Sequence, residues 1–300
     1  MKEIVLNDGN RIPIIGFGTY KSVKEDGVQS IKNALAIGYR LIDTAAAYNN
    51  EEEVGKGIAK SRIGREEIIV TTKLWRENLG YKETKKAFEL SLRKLGMTYV
   101  DLYLIHWPAN AKNYTNWQKA NADSWRAMEE LQVEGRKKSI GVSNFWQEHL
   151  EALFQTANII PAVNQIEFHP GYWQPGLTAF CKENGITVES WSPLARGKVF
   201  GNETLKTIAE KHSKSVSQVC LRWVIQHEVI VIPKSTTLQR IEENINIFDF
   251  ALSEEEMQQI DELPEMGFSG ELPNIWPDRI ENSTGLKFTS PTAPPLRPNG

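Results

Sequence analysis

Gly38-Tyr-Arg-Leu-Ile-Asp-Thr-Ala-Ala-Ala-Tyr-Asn-Asn-Glu-Glu-Glu-Val-Gly55 holds a strand, a bend and the start of a helix in eighteen residues. Leu41–Asp43 is a short apolar burst that ends on a carboxylate. After a small-residue bend, residues 50–60 take helical spacing. Working outward, the same alternation recurs. Strand-like runs fall at Ile14–Gly18, Leu41–Asp43, Ile68–Thr72, Val100–Ile105, Ser139–Val142, Ala162–Ile166, Thr187–Ser190 and Val229–Ile232. Helix-like segments lie near 28–37, 50–60, 83–95, 120–134, 146–156, 175–184, 203–227 (broken over Ser213–Ser217) and 238–247. From the second strand to the last, the repeat is about 32 residues. A unit of that size implies parallel strands joined by crossover helices. Eight units favour a closed (β/α)8 TIM barrel. An open doubly wound sheet has the same period, so the period alone does not separate the two.

Ahead of the repeat, Val5–Ile12 reads as a β-hairpin around Asp8-Gly9, a strong tight-turn signal. Gly16-Phe-Gly18 invites comparison with a dinucleotide loop. The third glycine of that fingerprint would fall on Lys21, so these glycines read as turn residues at a barrel mouth. Half of the 14 prolines lie at or after Pro264. The chain therefore reads as a single domain over 1–300, with the barrel over about 4–263 and an irregular tail over about 264–300. The first part of that tail is placed to cover a site, and Ser290–Gly300 is expected to be disordered.

Bulk properties exclude several classes. The 300-residue chain carries a net charge of -3 and 24% charged residues. That gives no electrostatic case for nucleic acid or an anionic membrane. No apolar run approaches the roughly 18 residues needed to cross a bilayer. Met1–Leu6 breaks into Asn7-Asp-Gly-Asn10 and builds no signal-peptide core. Cys181 and Cys220 stand alone and read as small buried hydrophobes in a reducing compartment, which places the protein in the cytoplasm. A monomer is expected. Glu167 and His169 have metal-ligand chemistry, but no third ligand stands at useful spacing, so they read as structural and no metal is expected.

Chemistry gathers at the ends of three strands. Asp43 and Tyr48 follow the second, Lys73 lies in Thr71-Thr-Lys-Leu-Trp75, and His106 lies in Asp101-Leu-Tyr-Leu-Ile-His-Trp-Pro108. A tyrosine is a sluggish acid at its usual pKa of about 10. A neighbouring ammonium, here Lys73, lowers that value by favouring the phenolate. Asp43 would hold the lysine charged, and His106 would hydrogen-bond a carbonyl oxygen. Tyr20, Trp75 and Trp107 follow the first, third and fourth strands and would wall a pocket fit for small aldehydes and ketones. The insert 110–119 and the tail 264–285 would shape selectivity.

These stretches resemble the aldo-keto reductase family over about Ile12 to Leu263. The resemblance implies a catalytic set of Asp43, Tyr48, Lys73 and His106, with Tyr48 giving the proton to a carbonyl that receives hydride. It implies NADPH/NADP+ as cofactor and a small carbonyl compound as substrate. Lys138-Ser-Ile-Gly-Val-Ser-Asn-Phe145 is similar to a family motif in which Ser143 and Asn144 meet the nicotinamide carboxamide; the same pair also suits a helix cap. Gln165, in Val163-Asn-Gln-Ile-Glu-Phe-His-Pro170, would be the third partner. Trp191-Ser-Pro-Leu194 is similar to the segment whose ring stacks on the nicotinamide. Ser192, Pro193 and Leu194 would then follow the pyrophosphate, with Arg196 and Lys198 nearby. The resemblance also implies cofactor contacts at Gly18, Thr19 and the strand-end carboxylate Asp43. In Ile232-Pro-Lys-Ser-Thr-Thr-Leu-Gln-Arg-Ile-Glu-Glu-Asn244, the resemblance assigns Lys234, Ser235 and Arg240 to the 2′-phosphate, and Glu243 and Asn244 to the adenine. A dianionic phosphate matches a point cation, a forked guanidinium and a helix N-terminus. The sequence is most similar in character to microbial members that act on glyoxals or a diketo-gluconate. A cofactor-binding regulatory subunit with little turnover is the alternative; a glycosidase, which needs two carboxylates across a cleft, lacks support in these motifs.

Overall fold

The computed structural model describes residues 2–22 and 24–276. Eight parallel strands form one sheet: β3 (Phe17–Gly18), β4 (Leu41–Asp43), β5 (Ile69–Leu74), β6 (Val100–Ile105), β7 (Lys137–Ser143), β8 (Val163–Glu167), β9 (Thr187–Trp191) and β10 (Ile230–Val231), in that spatial order. The sheet closes on itself. Ile15 bridges Val231 in parallel. The Gly16 amide donates to the Val231 carbonyl at 2.8 Å and the Val231 amide to the Ile14 carbonyl at 2.9 Å. Closure removes the open doubly wound alternative and gives the (β/α)8 barrel.

It also corrects the reading of Gly16 and Gly18. Neither is a turn residue. A Cβ on Gly16 would lie 2.6 Å from the Leu41 side chain, and one on Gly18 would lie 3.0 Å from the Ile232 carbonyl. Both are glycine because neighbouring chains approach closely at the seam.

The hairpin of β1 (Glu3–Val5) and β2 (Arg11–Pro13) pairs antiparallel. Leu6 and Ile12 join Leu41, Leu102, Val163 and Ile230 in one apolar cluster inside the barrel. Asn7 Nδ2 donates to the Pro161 carbonyl at 3.0 Å, and Asn10 Nδ2 to Ser139 Oγ at 3.0 Å. The hairpin thus plugs the N-terminal end of the strands and leaves the C-terminal end free for a site.

The helices are α1 (Lys24–Ile37), α2 (Glu51–Ser61), α3 (Tyr81–Leu95), α4 (Trp117–Val133), α5 (Gln147–Phe154), α6 (Pro175–Glu183), α7 (Glu203–Lys211), α8 (Val216–Gln226), α9 (Leu238–Ile245) and α10 (Glu254–Asp261). The 203–227 segment is two helices, because Ser215 caps α8 and accepts the Gln218 amide at 3.2 Å. The insert at 110–119 is shorter than expected, since α4 begins at Trp117. The expectation of disorder at Ser290–Gly300 lies outside the described residues. No helix among the described residues is long and apolar enough to cross a membrane.

Candidate active site

The C-terminal ends of the strands open into a cleft of about 920 Å³. At its floor β4, β5 and β6 bring together what the sequence holds apart. Lys73 Nζ donates to Asp43 Oδ1 at 2.6 Å, to the Thr44 carbonyl at 2.9 Å and to Tyr48 Oη at 3.4 Å. Tyr48 ends a 3-10 turn over Ala46–Tyr48. Its ring lies edge-on to His106, with centroids 5.6 Å apart. Lys73 is fully buried, so its three donors are committed to fixed acceptors rather than to water.

Burial and charge act against each other here. Burial pushes Tyr48 up to about 12, while Lys73 works downward and Asp43 upward. Lys73 does press the phenol downward, as its charge predicts, but desolvation is larger. The phenol consequently keeps its proton across the neutral range. Burial alone would depress Lys73, yet Asp43, Tyr48 and Glu189 outweigh it, and its pKa is raised. Burial and then Lys73 hold His106 well below its usual value, so it is a neutral imidazole at neutral pH. His106 Nδ1 is buried without a hydrogen-bond partner among the described residues.

Beside this floor runs a second set. Asn144 Nδ2 donates to the His106 carbonyl at 2.9 Å and to Ser143 Oγ at 3.1 Å. Trp191 Nε1 donates to Asn144 Oδ1 at 2.8 Å, and Ser143 Oγ to the Gln165 carbonyl at 2.8 Å. Gln165 Nε2 donates to Asp43 Oδ2 at 2.9 Å. Asn144 and Ser192 hold left-handed backbone, φ 61° and 56°. That conformation costs a non-glycine residue free energy and turns both toward the cleft. Asn144 does not cap the next helix: α5 is started at Trp146, whose amide donates to His149 Nδ1 at 3.2 Å.

Gly18, Thr19, Tyr20, Trp75, Trp107, Pro193, Leu194 and Lys234 also line the cleft. Ser235, Arg240, Glu243 and Asn244 lie further out. The Ser235 hydroxyl accepts the Thr237 amide at 3.1 Å just before α9. Arg240 is exposed on α9, Asn244 is buried, and the Glu243 carboxylate accepts the Ser215 hydroxyl. Lys234 is held below its usual pKa by partial burial and by Lys21. Lys21 is thus a second cation near Lys234 at the cleft.

Three cleft features escaped the sequence reading. Trp276 stacks on Trp107 at 5.0 Å and meets Trp75 edge-on at 5.3 Å. The tail carrying it is fastened by Asn110 Nδ2, which donates to the carbonyls of Pro273 at 2.8 Å and Trp276 at 3.0 Å. Arg196 pairs with Glu271 at 2.9 Å across the rim. Glu189, in the β9 interior, shares Gln165 Nε2 with Asp43, at 2.8 Å. Glu167 serves the tail as well, accepting from the Ser269 amide at 3.1 Å and hydroxyl at 2.6 Å.

The chain is similar to known proteins along most of its length. Residues 14–265 match the aldo/keto reductase family. The chain belongs to that family. It is 49% identical to the glyoxal reductase of Bacillus subtilis over 265 residues, 88% of this chain and 93% of that protein. It is 42% identical to the methylglyoxal reductase DkgA of Escherichia coli, over 87% of this chain and 92% of that protein. Among solved structures, a Gox0644 variant in complex with NADPH superposes with a TM-score of 0.85 at 42% identity, over 91% of this chain and 97% of that chain.

Proposed function

We propose that the protein is an NADPH-dependent reductase that converts a small aldehyde or ketone to its alcohol, with Tyr48 as proton donor. The observation that carries this reading is Lys73 Nζ set 2.6 Å from Asp43 Oδ1 and 3.4 Å from Tyr48 Oη on the floor of a large cleft. NADPH, when bound, would supply the hydride that the carbonyl carbon receives. The protein's own groups do the rest. Tyr48 releases its phenolic proton to the carbonyl oxygen, and the phenolate left behind faces the Lys73 ammonium, which stabilises it. Neutral His106 offers one N–H to the same oxygen and fixes the carbonyl in line with the phenol. Asp43 keeps Lys73 charged and in place.

The residues present fit the cofactor. Asn144, Ser143 and Gln165 are pinned by hydrogen bonds and present amide and hydroxyl groups for a carboxamide. The Trp191 ring is held by its own N–H on Asn144. The positive rim of Lys21 and Lys234, with Ser235 and Arg240 beyond, suits the 2′-phosphate, and Glu243 with Asn244 the adenine side. Tyr20, Trp75, Trp107 and Trp276 make an aromatic entrance for the substrate. The B. subtilis and E. coli relatives act, by name, on glyoxal and methylglyoxal, and we infer a small reactive aldehyde here too. Every residue of the cleft comes from one chain and one barrel domain, so a monomer suffices. Two buried thiols, Cys181 and Cys220, fit the reducing cytoplasm.

The test is loss of NADPH absorbance over a panel of 2-oxoaldehydes, aromatic aldehydes and ketones. Turnover of at least one class at about 1 s⁻¹ or faster, an ordinary enzymatic rate, is expected. Tight NADPH binding with no carbonyl turned over would instead support a cofactor-binding regulatory subunit.

A further inference from the structure

A second carboxyl group lies buried in the barrel, and nothing in the proposed mechanism uses it. Glu189 is in register with Gln165 on the neighbouring strand β8 and with Ile230 on β10. Its side chain is fully buried. Oε1 accepts one hydrogen of Gln165 Nε2 at 2.8 Å; the other hydrogen goes to Asp43 Oδ2 at 2.9 Å. Oε2 has no partner among the described residues. A buried acid with one oxygen unsatisfied is costly.

We propose that Glu189 is a positioning residue for the carbonyl reduction, acting through the Gln165 amide on both the cofactor site and Asp43. The proposal rests on the reductase reading above. Two carboxyl groups flank the amide, so its nitrogen must turn inward, since the carbonyl oxygen there would meet an ionised Asp43. With both N–H groups committed, what Gln165 offers to the cleft is its carbonyl oxygen, an acceptor for a carboxamide NH2. The same nitrogen holds Asp43 Oδ2 while Lys73 holds Oδ1, so Asp43 is gripped from both sides. Remove the Glu189 acceptor and one amide hydrogen is left buried without a partner. The amide then turns, and Asp43 and the carboxamide contact loosen together.

Charge gives a separate handle. The charged groups that face Glu189 are Asp43 on β4 and Lys73 on β5. Burial and then Asp43 raise it to about 8, with Lys73 and the Gln165 hydrogen bond opposing. It is therefore mostly neutral at pH 7. As pH rises through about 8, a second negative charge forms near Lys73. That charge opposes the phenolate that Tyr48 must become, so turnover falls.

Two variants and one control decide it. Glu189→Leu removes the acceptor. Loss of one hydrogen bond of this kind should weaken NADPH binding and lower kcat by about tenfold each, with Tm held or raised because a buried acid is gone. Glu189→Gln keeps an acceptor oxygen but does not titrate. It should restore NADPH affinity and kcat at pH 7 and abolish the decline near pH 8. NADPH affinity and kcat within twofold of wild type in Glu189→Leu, together with an unchanged pH profile in Glu189→Gln, would overturn the proposal. Should Glu189→Leu not fold, the profile of Glu189→Gln decides alone. Tyr48→Phe separates the two readings. If it keeps turnover, the mechanism itself fails; if it is dead while the Glu189 variants are silent, only the role of Glu189 falls.

Discussion

The floor of the cleft and its cationic rim are built on opposite plans. On the floor, Asp43, Lys73, Gln165 and Glu189 are buried and hydrogen-bond one another at 2.6 to 2.9 Å. At the rim, Lys234 and Arg240 are exposed and have no ion pair among the described residues. The floor is finished before any ligand arrives. Its charges keep their geometry because leaving would strand a partner in a low-dielectric interior. The rim keeps its cations in water, where the 2′-phosphate of the proposed cofactor would gain from them at little reorganisation cost. On the proposed reading, chemistry is pre-organised at one end, and binding is left open at the other.

The contrast breaks first, and most, at Tyr48. Tyr48→Phe removes one hydroxyl from the floor and no structural partner but the 3.4 Å contact to Lys73. Turnover should fall by about 10²–10⁴-fold, the usual worth of general acid catalysis. NADPH affinity and Tm should stay near wild type. Steady-state reduction beside an NADPH titration reads both; near-normal turnover would move the search for the proton donor to His106.

Lys73→Met strikes the same floor through its self-pairing. It leaves Asp43 buried and uncompensated, a loss on the order of 3–5 kcal/mol. Turnover should drop because the phenolate has lost its ammonium, and Tm should drop with it. A variant with depressed turnover and unchanged Tm would mean that the floor is not held together by this pair.

At the rim the expected effect is smaller and selective. Lys234→Ala should weaken NADPH by about tenfold, one charged hydrogen bond at an exposed site, and leave NADH within twofold. Tm should not move. If both cofactors weaken equally, Lys234 does not meet the 2′-phosphate.

The same division explains what the sequence made legible. Leu41–Asp43 and Val100–Ile105 are strands over those residues because an apolar run that reaches a polar residue, Asp43 itself or His106 just past Ile105, marks a strand entering the barrel's C-terminal mouth. Asp43, Tyr48, Lys73 and His106 each stand at or just past such an end, so their convergence follows once the barrel closes. Glu189 was not legible. Within Thr187-Val-Glu-Ser-Trp191 it reads as one polar residue of an alternating strand, and only closure brings it opposite Asp43. Trp276 was missed because a proline-rich tail has no period to read. The helix α10 was missed although Ser253 and Glu256 spell a capping box, here with the Ser253 amide donating to Glu256 at 2.8 Å. Its apolar face is too thin to show: among Glu254–Asp261 only Met257 and Ile260 are apolar.

The smallest expected effect lies where floor and rim give way to the substrate entrance. Trp276 touches nothing in the proton relay. It stacks on Trp107, meets Trp75, and lies 4.0 Å beneath the Arg76 guanidinium. Aromatic contacts of this kind are worth roughly 0.5–1.5 kcal/mol each beyond the area they bury. Trp276→Ala should therefore raise KM for aromatic aldehydes by a few-fold to about tenfold, since the Trp107 and Trp75 rings lose the ring that fixes them. Small 2-oxoaldehydes, which cannot span the aromatic wall, should change by less than twofold. The floor is not touched, so kcat should stay at the wild-type value for both classes. A matched fall in kcat would mean that the tail also sets the tetrad, and the division between a finished floor and an adaptable entrance would not hold. An equal rise in KM for both classes would make Trp276 a general closure of the cleft rather than a wall that reads the size of the substrate.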